Sequence, residues 1–114
     1  MESKYDLEEG TFQFASDCRE MIKSLKYSIA NVEDGKQLVR SSGSVGANYI
    51  EANEKLGDRD FVFRLKISRK EGKESRYWLR LLRNENLENK EIKKLINESE
   101  QLRKIISALI KKFE

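Results

Sequence analysis

Apolar and small residues recur along this chain at alternating steps of three and four, the spacing that lines one face of an α-helix. The first stretch carries Ala15, Cys18, Ile22, Leu25, Ile29 and Val32, and the second Leu38, Ser42, Val45, Tyr49, Ala52 and Leu56. Phe61, Leu65, Ser68, Gly72, Ser75, Leu79 and Leu82 mark the third; Ile92, Leu95, Ser99, Leu102, Ile106, Leu109 and Phe113 mark the fourth. Strand-like alternation appears nowhere over a useful length. Clusters of Asn, Asp, Glu and Gly at 31–35, 57–58 and 84–89 read as breaks, with Asp34, Asp58 and Asn89 as caps of the helices that follow. Four helices of about 20–27 residues, each about 30–40 Å long, with short connections predict an all-α, antiparallel up-down-up-down four-helix bundle. Residues 1–8 are polar and read as a frayed N-terminus, leaving 9–114 as a single domain.

The third helix sorts its faces by chemistry. One step after each core position stand Lys66, Arg69, Lys73, Arg76, Arg80 and Arg83, a purely basic row about 100° from the core and about 26 Å long. One step before the core stand Arg64, Ile67, Glu71, Glu74, Trp78 and Leu81, with Phe63 and Tyr77 beside them. That row is too apolar for a simple solvent face. Charge follows the same division: residues 1–57 hold 7 basic and 10 acidic side chains, residues 58–114 hold 16 and 10. The six-residue basic row is therefore the candidate nucleic-acid-binding surface, since phosphates can meet it without base readout. The bland alternative is a solvated helix face.

Small residues cluster in the second helix at Ser41, Ser42, Gly43, Ser44, Gly46 and Ala47, and share the seam of the third at Ser68, Gly72 and Ser75. Glycine inside a helix costs about 1 kcal/mol relative to alanine, so close approach of these two helices is expected. A phosphate-cradling loop at 41–46 is disfavoured: it lacks the Walker lysine and a preceding strand. Arg40, Asn48, Glu51, Lys70, Glu71 and Glu74 flank the seams and read as a structural polar network, because a buried charge needs a partner. The pairs Glu51/Glu54 and Glu71/Glu74 also have the spacing of a four-carboxylate metal site, which the nearby Lys70 and Arg64 disfavour.

The remaining composition mostly excludes. With no histidine and a single cysteine, Ser-His-Asp and Cys-His catalysis, most zinc sites and any intrachain disulfide are ruled out. No nucleophile–base pair or glycine-rich loop is visible, so neither an enzyme nor a cofactor is expected. No apolar run approaches the about 20 residues of a membrane span, and a cytoplasmic protein without membrane contact is expected.

The stretch Val39-Arg40-Ser41-Ser42-Gly43-Ser44-Val45-Gly46-Ala47-Asn48-Tyr49-Ile50-Glu51-Ala52 resembles the second-helix motif of the four-helix-bundle proteins related to the 23S rRNA intervening-sequence protein. Asp60-Phe61, Lys66, Lys70-Glu71-Gly72 and the run from Glu74 to Leu82 resemble that family's third helix, although Gly72 and Ser75 stand where Ala and Thr are usual. That family is similar to the accessory variability proteins of diversity-generating retroelements, which form barrel-like homopentamers and bind nucleic acid. The resemblance implies a homo-oligomer, a pentamer on family grounds, that associates with RNA or DNA and with a reverse transcriptase or another protein. It carries over no catalytic residue. Self-association is also suggested by apolar residues outside the core rows: Phe63, Ile67, Tyr77, Trp78 and Leu81 as the candidate oligomer interface, with Ile50, Ile96, Ile105 and Ile110. The reading that emerges is a non-enzymatic nucleic-acid-binding or RNA-associated accessory bundle. The alternative is a protein–protein interaction bundle with no nucleic-acid role.

Overall fold

A computed structural model describes residues 6–54 and 56–114. Among these, four helices follow one another: α1 (Leu7–Lys23), α2 (Ile29–Asn53), α3 (Asp58–Glu85) and α4 (Lys90–Phe113). Each lies against its neighbours in sequence, α1 closes the ring on α4, and the diagonal pairs stay apart. Short connections make these neighbours antiparallel, which is the expected four-helix bundle. None of the described helices is long and apolar enough to cross a membrane.

Three of the helices start on a polar side chain that accepts from a backbone N–H three residues on. Asp6 accepts from Glu9, Ser28 from Asn31, and Asn89 from Ile92. Asn89 was an expected cap; the other two expected caps are corrected. Asp58 is the first residue of α3, and the capping position falls on Gly57, whose φ of 125° lets the chain turn into the helix. Asp34 lies inside α2, which already runs from Ile29. Burial, then Glu85 and Glu33, push its carboxyl above its ordinary value.

The break expected at 31–35 is therefore also corrected, and the real turn is residues 24–28. Two tertiary contacts keep the polar stretch helical. Asn31 and Asn86 exchange side-chain hydrogen bonds (2.8 and 3.3 Å), pinning the start of α2 to the end of α3. Gly35 lies under Ile22 of α1, whose Cγ2 a β-carbon there would meet at 3.4 Å. Of the stretch expected to fray, residues 1–5 lie outside the described residues, whereas Asp6 caps α1 and Leu7 is buried.

All seven core positions expected for α3 are buried. In α1 the buried line is instead Leu7, Thr11, Phe14, Cys18 and Met21, while Phe12, as large as Phe14, stays exposed. Ala15 and Ile22 face α2 beside that line, and Leu25 falls in the turn, packed on the core edge. In α4, Ile110 replaces Leu109 and Phe113 as fully buried; Phe113 meets Phe61 edge-to-face at 5.0 Å. Leu56, outside α2, is 86 % exposed, and Tyr49 only half-buried.

The α2–α3 seam is the most extensive contact in the bundle. Ser68 donates to the Val45 carbonyl at 2.7 Å, and Ser75 donates to Ser41 Oγ at 3.0 Å, all inside the core. Small side chains let the backbones approach, and each satisfied hydroxyl contributes about 1 kcal/mol net. The glycines of α2 serve a different contact from the one expected. A β-carbon on Gly46 would lie 2.8 Å from Thr11 Oγ1, on α1. A β-carbon on Gly72 would meet only Val45 Cγ2, at 3.9 Å.

Two outcomes follow. Gly46→Ala should lower the urea midpoint, because Thr11 is buried and its hydroxyl bonds the Glu8 carbonyl, so it cannot yield. Gly72→Ala should raise it by up to about 1 kcal/mol through helix propensity. The reverse order would show that α2 does not approach α1 most closely at Gly46.

Cys18 is fully buried, and burial, eased slightly by the Ser42 hydrogen bond, pushes its thiol up to about 12. A thiol reagent at pH 8 should label it only as fast as the protein opens, and at full rate in urea. Because the folded value exceeds the unfolded one, stability should fall as pH rises above about 9, a slope that Cys18→Ala should reduce. Rapid native labelling would contradict this burial.

Candidate nucleic-acid interface

Because the core stripe of α3 points inward, the row one step further turns toward α4. The six basic residues remain on one side of the bundle, but they are not equivalent. Lys66 pairs with Glu114 at 3.1 Å, Arg69 donates to Ser107 at 3.3 Å, and Arg76 faces Glu100 at 3.4 Å. Lys73, Arg80 and Arg83 are exposed and form no ion pair among the described residues.

An open groove runs between α3 and α4. Arg69, Lys73, Arg76 and Arg80 line it from one side, and Arg103 from the other, with Tyr77 and Ser107 between. Glu100 is its single carboxylate. A hydrogen bond from Arg103, helped by the charges of Arg103, Arg76 and Lys104, holds that carboxyl below its ordinary value. Ionised at neutral pH, it bridges the two walls and leaves a cationic excess. The groove continues past Tyr77 and Arg80 to Arg83, Asn84, Leu87 and Ile96. Arg103 and Glu100 were missed in the sequence. Their i,i+3 spacing was visible, but not which side of α4 would turn to α3.

On the opposite flank of α3, toward α2, Arg40 binds both Glu71 (3.2 Å) and Glu74. Glu74 also accepts from Trp78 Nε1 at 3.0 Å. The expected polar network thus exists in part. Asn48 is corrected to a bond within its own helix, to the Ser44 carbonyl at 2.8 Å. Glu51 and Lys70 are exposed, which removes the need for a partner. The network keeps two carboxylates of α3 away from its basic row. Among the described residues, no group of three or more His, Cys, Asp or Glu converges as a metal site would require.

The expected oligomer surface divides likewise. Phe63 and Tyr77 are exposed; Ile67, Trp78 and Leu81 are half-buried. Ile110 belongs to the core, and Ile96, Ile105 and Trp78 pack against it, so part of the apolar surplus widens the core instead. A second uncovered surface was not foreseen as a unit. Phe12 and Ile50 flank a groove between α1 and α2 floored by Gly43, Gly46 and Ala47. The signal was Phe12 beside the true α1 core line, which a helix read from Ala15 onward does not reveal.

Comparison with curated proteins gives no match. The crystal structure of a protein of unknown function from the S23 ribosomal protein family of Bacteroides thetaiotaomicron VPI-5482 is 28 % identical in sequence. It superposes with a TM-score of 0.81, over 93 % of this chain and 99 % of that one. The family model described as 23S rRNA-intervening sequence protein matches residues 4–108, which includes α1, α2, α3 and most of α4. On that span, the chain belongs to the 23S rRNA-intervening sequence protein family.

Proposed function

We propose that this protein is a non-enzymatic nucleic-acid-binding accessory protein that acts as a homo-oligomeric bundle, pentameric by resemblance to its wider family. One observation carries the reading: five cationic side chains face a single carboxylate along the α3–α4 groove. Such a groove attracts phosphates by counterion release and needs no base-specific contact. Repeating it in an oligomer multiplies weak contacts without any new chemistry. The apolar side chains that one bundle leaves exposed, Phe12, Ile50 and Phe63, support self-association.

The test compares wild type with Lys73→Glu/Arg80→Glu/Arg83→Glu for binding to RNA and DNA in a salt titration. These three side chains are exposed and form no ion pair among the described residues, so the reversal should leave the helical circular dichroism unchanged. Arg76 is spared, because a carboxylate there would face Glu100. Wild type should bind at low salt and weaken steeply as salt rises, and the variant should lose at least about ten-fold in affinity. Light scattering on the same samples should give a multiple of 13.4 kDa. Equal affinities, or no binding, would leave an interaction bundle in place of a nucleic-acid protein. A mass of 13.4 kDa would remove the oligomer.

A further inference from the structure

We propose that the groove takes a single strand, with one unstacked base lodged against Tyr77 at its Leu87–Ile96 end. The inference rests on the nucleic-acid reading above and adds to it the form of the ligand.

The groove changes character along its length. From Arg69 to Arg80 it is almost wholly cationic, which suits a phosphate backbone of any kind. At Tyr77 and Arg80 it passes into a second hollow lined by Leu81, Leu87 and Ile96, with Arg83 and Asn84 at its edge. A duplex presents phosphates and has no use for an apolar hollow, because its bases are already stacked on one another. A single strand has both needs: phosphates to neutralise and flat apolar faces to cover. Tyr77 stands at the junction of the two parts and is 53 % exposed. The amide of Asn84 offers both a donor and an acceptor to a base edge.

Tyr77 is also held in place. Its ring meets Trp78 in a T-shaped contact at 5.2 Å. Trp78 in turn donates to Glu74, which Arg40 of α2 binds. A ring fixed before binding loses little rotamer freedom when a base stacks on it. The same contact supplies a reporter, since Trp78 is the protein's single tryptophan.

The experiment measures binding of a mixed-sequence RNA strand of about 12 nucleotides, alone and annealed to its complement, by anisotropy and by Trp78 fluorescence. Wild type should prefer the single strand, and only that strand should change the Trp78 emission. Tyr77→Ala should lose about ten-fold in single-strand affinity at unchanged salt slope, keep its duplex affinity, and be rescued by Tyr77→Phe. Leu87→Ser, at a residue outside the helices and 78 % exposed, should weaken the single strand without touching the fold. If strand and duplex bind alike and both substitutions are silent while the triple charge reversal still abolishes binding, this inference falls and the nucleic-acid reading stands. If wild type binds neither form, both fall.

Discussion

The fold depends most on the seam between α2 and α3, where two serines of one helix bond to the other. Ser68 reaches the Val45 carbonyl and Ser75 reaches Ser41 Oγ, at heights set by a single rotation of α3 about its axis. Leucines flank them on the same line, Leu65 and Leu79 on α3 and Leu38 on α2, all fully buried. A twist of one residue step would expose that line and bury the basic row in one direction, or Arg64, Glu71 and Glu74 with Ile67, Trp78 and Leu81 in the other. Either twist would bury charged side chains that are costly to bury unpaired, which favours the rotation observed.

Once α3 is held at that angle, its charges are sorted without further instruction. The row one step behind the seam turns to α2, where Arg40 occupies Glu71 and Glu74. The row one step ahead turns to α4, where Glu100 answers only part of the positive charge. These surface ion pairs add little stability each. Their effect is spatial: carboxylates are kept on one flank, and cations are left in excess on the other. Tyr77 sits beside the cationic flank, braced by the same Arg40–Glu74–Trp78 chain that anchors the opposite one.

How much of this was legible in the sequence follows from how strictly each helix keeps its period. In α3 the seam, the basic row and the apolar-acidic row all repeat at steps of three and four, and every seam residue is buried as the spacing predicts. The α1–α2 boundary was not legible. Asn31, Asp34 and Gly35 have the composition of a turn, yet Asn31 is consumed by Asn86 and Gly35 by Ile22. Those partners lie 55 and 13 residues away, beyond any local rule. The basic row of the candidate site was legible; its far wall, Arg103 and Glu100, was not, because it depends on the rotation of α4 against α3. The glycine cluster of α2 was legible as a close approach but not as an approach to α1.

The α2–α3 seam, the most extensive contact in the bundle, should also be its most stable part and set the rotation of α3. Native-state hydrogen exchange tests it directly. The slowest amides should be those of residues 65–79 in α3 and 38–45 in α2, exchanging only through global unfolding. Amides of α1, which has the smaller interfaces, should exchange earlier through partial opening. Exchange of the α3 seam amides before those of α1 or α4 would contradict the account.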